Sequence, residues 1–199
     1  KLNELLFAPL NIQPEKIISL NVHVDKQDII AECRIFEQKI EALGGIDFQI
    51  LGIGRSGNIG INEPGSLINS PTRLILLDEL SRKDAAEIFG KTDLVPISAI
   101  TMGIGTILKA KRIVLAAWGE HKAGVIQSAI ESKMNEAMPA SYLQSHNNAK
   151  ICIDLPAASE LTRISRPWLV TSCEWDDKLI RRAIVWLCEN TQKPILKLT

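Results

Sequence analysis

The sequence carries no net charge: Lys and Arg number 23, and so do Asp and Glu. A chain without a basic excess has no electrostatic footprint for nucleic acid or an anionic membrane, although an anionic small molecule needs only a local pocket. No apolar run approaches the roughly 18 residues of a membrane span, and no charged-then-apolar leader opens the chain. A soluble, cytoplasmic protein is the expectation. Cys33, Cys152, Cys173 and Cys188 show no C-x-x-C spacing. Each falls in or beside an element expected in the core, where a buried, reduced thiol is common. His23, His121 and His146 are too scattered for a metal set and have no carboxylate at ligand spacing. No metal is expected. An initiating methionine is also missing, and Lys1 opens what reads as a helix already under way, with Leu2, Leu5 and Leu6. The chain reads as a fragment of a longer product.

What is present suffices for one sizeable core, since 46% of the 199 residues are hydrophobic. The stretch that organises the chain is residues 47–66, a short apolar strand running into a loop with glycines at 52, 54, 57 and 60. Glycines there let the backbone take positive φ or come close to a ligand, at the end of a strand where α/β proteins place their chemistry. Gly52-Ile53-Gly54-Arg55-Ser56-Gly57 fits G-x-G-x-x-G, and Asp78 follows a second apolar run about 20 residues on. A dinucleotide fingerprint, however, needs its third glycine to open a helix. Asn62, Glu63, Pro64, Gly65 and Pro71 fill that interval with turn formers instead, which argues against a nicotinamide site.

Taken in order, residues 2–8 read as the end of a helix, and residues 17–20 as a short strand. Asp28 is placed to cap a helix in which Ile29, Cys33, Phe36, Ile40 and Leu43 recur at helical spacing until Gly44-Gly45. After the glycine loop, residues 73–77 form an apolar strand, and Ser81 is placed to cap a helix to about Phe89. Residues 97–101 give another strand and a short helix ends near Lys111. Residues 112–117 are apolar enough to need cover on both faces. A helix over 120–132, one or two turns over 140–146 and a strand over 150–154 complete the alternation. It implies an α/β, Rossmann-like three-layer domain with a mainly parallel sheet and a site beyond the strands' carboxyl ends. Beyond Arg163 an extension leads to a helix over 176–189, with Leu179, Ile180, Ala183, Trp186 and Leu187 on one face and Arg181 and Arg182 outside it. Residues 194–198 read as a last strand-like run. Lys122 falls in the first turn of the helix over 120–132, where a cation opposes the helix dipole unless an anion is bound. It is a candidate phosphate holder, against the plainer reading of a solvated surface lysine.

The loop resembles the active-site loop of glucosamine-6-phosphate deaminases, the aminosugar-phosphate isomerase/deaminase family, in which a strand precedes a G-x-G-x-D-G-H-I-A-F-N-E-P-like run. Gly54, Gly57, Ile59, Asn62, Glu63 and Pro64 match it in order. Pro71-Thr72-Arg73, residues 99–108, Gly119-Glu120-His121-Lys122-Ala123, residues 141–146 and Asp154-Leu155-Pro156-Ala157 continue the match collinearly, from about residue 4 to 161. The resemblance implies a deaminase/isomerase-like domain over residues 1–161 that lacks the family's N-terminal third, with residues 162–199 as an extension. It implies conversion of glucosamine 6-phosphate and water into fructose 6-phosphate and ammonia by acid/base groups, without an organic cofactor. The partner is then a phosphorylated aminosugar, and a homo-oligomer is possible.

Two of the family's chemical residues are changed. Ser56 stands where the family carries an Asp that orients a histidine, and Asn58 stands where it carries that histidine. An amide has no accessible pKa near neutrality and cannot be a general base. Glu63 is the member of that trio that is kept. The resemblance assigns Glu63, Asn58 and Ser56 to catalysis, and Gly54, Gly57 and Lys122 to substrate binding. Arg73 matches a family arginine near the effector and subunit-contact region. The family's second phosphate-binding arginine falls near Glu87, whose charge would repel phosphate, leaving Arg82 and Lys83 as the nearest cations. The alternative function is a catalytically impaired sugar-phosphate-binding or regulatory module.

Overall fold

The computed structural model describes residues 2–21 and 24–197. In chain order the elements are α1 (Ile29–Ala42), β1 (Gln49–Leu51), β2 (Arg73–Leu76), α2 (Glu79–Phe89), β3 (Ser98–Thr101), α3 (Ile104–Leu108), β4 (Ile113–Ala117), α4 (Ala123–Glu131), β5 (Ala149–Ile153), α5 (Thr162–Ser165) and α6 (Asp177–Thr191), with short tight-helical turns between them. β1, β4 and β5 form a parallel sheet in the order β1-β4-β5, with Leu51 opposite Leu115 and Ala117 opposite Ile153. Because all three strands run the same way, the loops that follow them emerge on one side.

Side-chain alternation along β4 sets the core. Ile113, Leu115 and Ala117 point to one face and are buried, while Val114 and Ala116 on the other are half-buried. Ile104 and Ile107 of α3, Ile126 and Ala129 of α4, and Tyr142 and Leu143 of the turn over Pro139–Ser145 close over that face. α1 is tied on through a polar contact. The Glu37 carboxylate accepts the Thr72 amide at 2.8 Å and the hydroxyls of Thr72 and Thr106 at 2.5 Å each. Burial acts to raise its pKa, but those donors and nearby Lys109 together outweigh it and hold the group below its ordinary value.

Several expectations are corrected. The strands over 73–77 and 97–101 do not join the parallel sheet: β2 and β3 pair antiparallel as a separate ribbon, Arg73 opposite Thr101. The helix between them, α2, buries no side chain, and its Ile88 and Phe89 stay exposed, so it covers no sheet. Its cap is Asp78, whose carboxylate accepts the Ser81 amide at 2.6 Å, so Ser81 is the capped residue rather than the cap. Residues 17–20 form no strand, and Ile195–Lys197 is a single tight turn after Pro194 rather than a strand. Glu120–Lys122 is a tight turn, and the α-helix begins only at Ala123. Cys33 is buried, but Cys152 on the outer strand β5 is exposed, and Cys173 and Cys188 are half-buried.

The tail is held by aromatic rings. Trp168 stacks on Trp175 with centroids 5.8 Å apart and meets Trp186 of α6 edge-on at 6.2 Å. α6 buries no residue fully, although Asp176 caps it by accepting the Leu179 amide. Among the described residues, no helix is long and apolar enough to cross a membrane.

Two stability outcomes follow. Ile113→Ala empties a fully enclosed position and should lower unfolding stability by about 2–5 kcal/mol in a denaturant titration. Glu37→Gln should cost about 1–2 kcal/mol at neutral pH, since a hydrogen-bonded charge is lost. Because the folded pKa of Glu37 lies below its ordinary value, its contribution is present above about 4.5 and fades as pH falls through the folded value. Melting curves of wild type and variant should therefore converge in acid.

Candidate active site

The loops leaving β1, β4 and β5 converge beyond the strands' carboxyl ends. The Lys122 ammonium, at the start of α4, donates to the Ile53 carbonyl just past β1 at 2.8 Å. The Gly119 amide, after β4, donates to the Asp154 carboxylate after β5 at 3.0 Å, and the same carboxylate accepts the Ala157 amide. Three loops are thus pinned to one another by polar contacts before any ligand is considered.

Within the first loop the backbone closes on itself. The Gly54 amide donates to the Asn58 carbonyl at 2.9 Å and the Gly57 amide to the Gly54 carbonyl at 3.1 Å. Both amides are therefore engaged inside the loop, and the two glycines act on shape. A side chain at Gly54 would collide with the Asn58 amide, and one at Gly57, where φ is +79°, with the Met138 thioether. The segment before Pro139 lies across this loop: Ala140 donates to the Gly57 carbonyl, and Gly65 to the Glu136 carbonyl, each at 2.8 Å.

Ser56, Asn58 and Glu63 are brought together. The Ser56 hydroxyl donates to the Asn58 side-chain oxygen at 3.0 Å and stands 3.5 Å from Glu63 Oε2. A hydroxyl has one proton, and the shorter contact takes it. Glu63 is only 8% exposed and its Oε1 is buried without a hydrogen-bond partner. Burial pushes its pKa up, with the Asp78 carboxylate adding to the rise. The hydroxyls of Ser81 and Ser56 and the Asp78 amide, which face the group without closing on Oε1, offset part of it. A buried carboxyl poised above its ordinary pKa is suited to hold and release a proton.

Glu63 is aimed by its neighbour. Asn62 is fully buried and donates to the carbonyls of Ile59 at 3.0 Å and Met102 at 2.8 Å, while its side-chain oxygen accepts from Arg73 at 2.8 Å. Arg73 also donates to the Ser66 hydroxyl at 2.8 Å. The arginine is half-buried, which lowers its pKa, and it belongs to the framework of the loop rather than to a free surface. Asn62 was missed from sequence, where its one signal is its place between a glycine loop and Glu63-Pro64.

Other candidates lie apart. Arg82 donates to the Thr92 carbonyl and Lys83 pairs with Glu79 one turn back, so both act within α2 and its following turn. Glu87 and His121 are exposed. His146 is bound to the Ala110 carbonyl at 2.7 Å at the opposite end of β4. His23 lies outside the described residues. Arg55 pairs with Asp84, linking the glycine loop to α2. Glu63 lines a cavity of about 680 Å³ together with Ser66, Asn69, Arg73 and Ile75, a cavity that Ser56, Asn58 and Lys122 do not line. No group of three or more His, Cys, Asp or Glu among the described residues is arranged to hold a metal ion.

Parallel strands, a self-bonded glycine loop past the carboxyl end of β1 and a buried carboxyl shortly after that loop define an α/β protein with a candidate site beyond its strand ends. Residues 1–152 match the model of the glucosamine-6-phosphate isomerases/6-phosphogluconolactonase family, and the chain belongs to that family. It is similar to a glucosamine-6-phosphate deaminase-like protein of Bacteroides thetaiotaomicron, 57% identical over 198 residues, or 100% of this chain and 30% of that protein. It is also similar to the glucosamine-6-phosphate deaminase of Shewanella loihica, 49% identical over 71% of this chain and 54% of the relative. Among solved structures, a monomeric glucosamine-6-phosphate deaminase is 41% identical with a TM-score of 0.77, over 80% of this chain and 65% of that one. The chain thus spans between about a third and about half of the length of these two curated relatives.

The raised pKa of Glu63 has a measurable consequence. Its contribution to stability is complete below about 4.5 and is lost as pH rises through the higher folded value, because the fold disfavours the ionised form. Glu63→Gln keeps the shape and removes the charge. Its melting temperature should exceed that of wild type at pH 7, and the gap should close in acid.

Proposed function

We propose that this chain forms the part of a glucosamine-6-phosphate deaminase-type protein that carries Glu63, acting on an aminosugar phosphate by acid/base chemistry to give a ketose phosphate and ammonia. The observation that carries the reading is Glu63 itself: a carboxyl just beyond the glycine loop that follows β1, buried, unpartnered at Oε1 and displaced toward the protonated form. In this reading Glu63 holds or releases a proton beside the sugar. Lys122, with one of its three N–H bonds directed to Ile53, offers the others to phosphate. Gly54 and Gly57 set the shape of the loop, making room for the Asn58 side chain and the Met138 thioether that pack on it. The names of the relatives at 57% and 49% identity support the substrate class. A cytoplasmic setting goes with such a substrate.

A specific observation favours a second reading, a sugar-phosphate-binding or regulatory module with impaired catalysis. The Asn58 side-chain oxygen is held by the Ser56 hydroxyl, and neither group can move a proton as an imidazole backed by a carboxylate would. The two readings part on one experiment on the longer protein of which this chain is proposed to be the part carrying Glu63: ammonium release from glucosamine 6-phosphate, with sugar-phosphate affinity measured in parallel. On the catalytic reading the wild-type protein turns over and Glu63→Gln lowers kcat at least a hundredfold. If wild type is silent, yet Ser56→Asp with Asn58→His raises turnover at least tenfold at unchanged affinity, the protein is the impaired module. Absence of both turnover and binding would defeat both readings.

A further inference from the structure

A second cavity, about 520 Å³, lies where α6 and the turns before it meet α4. The residues of α6 fall outside the stretch matched by the family model. We propose that this cavity binds a phosphorylated sugar, at a site separate from the glycine loop and independent of its chemistry.

Three guanidinium groups line it, those of Arg166, Arg181 and Arg182. None has a side-chain hydrogen bond or an ion pair among the described residues, where the ion pairs lie elsewhere. The arrangement follows from helical spacing. Arg181 and Arg182 stand side by side on α6, and Val185, Trp186 and Glu189 follow at one and two turns, so a single face of the helix borders the cavity. Arg166 comes from the opposing wall, just after α5. Three unpaired cations around one open cleft repel one another, and a doubly charged phosphate offsets that while matching the planar fork of each guanidinium.

The remaining lining residues specify more than an anion. Glu160 and Glu189 would repel a bare phosphate, yet carboxylates are strong acceptors for the hydroxyl or ammonium donors of a sugar. Trp186, held edge-on by Trp168, presents an indole surface suited to the C–H face of a sugar ring. The volume lies inside the range of about 300–1,000 Å³ usual for small-ligand sites. Cations for phosphate, acceptors for hydroxyls and an aromatic wall fit one ligand that carries all three counterparts.

The test is calorimetric titration of the full chain with glucosamine 6-phosphate, glucose 6-phosphate, inorganic phosphate and glucosamine, with tryptophan fluorescence recorded in parallel to place the ligand near Trp186. The double substitution Arg181→Gln with Arg182→Gln removes two exposed cations without touching the core. Lys122→Ala disables the glycine-loop site and leaves this one whole. Saturable sugar-phosphate binding that survives Lys122→Ala, weakens at least tenfold in the double variant and exceeds binding of inorganic phosphate and glucosamine at least tenfold is the expected result. Equal affinity for inorganic phosphate would reduce the cavity to a plain anion site and overturn the proposal. So would loss of all binding in Lys122→Ala, insensitivity to the arginine substitutions, or no binding at all. Turnover at Glu63 does not enter any of these outcomes, so the earlier reading stands or falls separately.

Discussion

The site depends on one buried amide. Asn62 has no exposed surface, and its side chain links the Ile59 carbonyl on its own turn, the Met102 carbonyl at the end of β3 and the Arg73 guanidinium of β2. The Ile59 carbonyl also accepts the Asn62 backbone amide and the Met102 carbonyl the Thr101 hydroxyl, so the amide side chain adds a second bond to each, and its own removal would leave a buried gap. The amide therefore fixes the turn in which the next residue is Glu63, and Pro64 limits the backbone beyond it. Arg73, half-buried and donating to the neutral groups of Asn62, Ser66 and Pro71, completes a frame that joins the antiparallel ribbon to the glycine loop. The ribbon thus serves as a buttress for the site rather than as an extension of the main sheet.

Glu37 and Glu63 show how the same residue type is driven in opposite directions. Both are drawn out of water, and that alone would raise both pKa values. Glu37 meets two threonine hydroxyls and an amide on a single oxygen, and their combined pull reverses the shift. Glu63 leaves one oxygen with no donor and faces the Asp78 carboxylate. The first carboxylate is a stable charged joint between α1 and its neighbours. The second is a carboxyl displaced toward its protonated form, and the difference lies in its deeper burial and in the sign of the nearby charge, Asp78 beside Glu63 against Lys109 beside Glu37.

The legible part of the fold is the part encoded by composition over short windows. β1, β4 and β5 follow from apolar runs bounded by glycine or polar turns, and α1 and α6 from spacing that repeats with the helix. Strand direction has no such local code. Leu74-Ile75-Leu76 reads the same in a parallel or an antiparallel partner, and it pairs antiparallel with β3 while α2 between them buries no side chain. In the site, Ser56, Asn58, Glu63 and Lys122 were readable as a motif. The work of Asn62 was not, because its bonding partners Met102 and Arg73 are remote in the chain or belong to another element. The engagement of the Gly54 and Gly57 amides within their own loop was likewise invisible, since any glycine-rich loop offers amides on paper.

The contacts that pin the three strand-end loops also set when the site can come into being. Lys122 and Ile53 are 69 residues apart, Asn62 and Met102 40, and Gly119 and Asp154 35. Each closes a long loop whose entropy must be met before the contact gives anything back, so such pairings form late and only on a sheet already assembled. A partly folded chain would hold helices and single strands but no site. Any ligand that bridges these loops would then act on the unfolding rate of the whole sheet, not on the mobility of one loop.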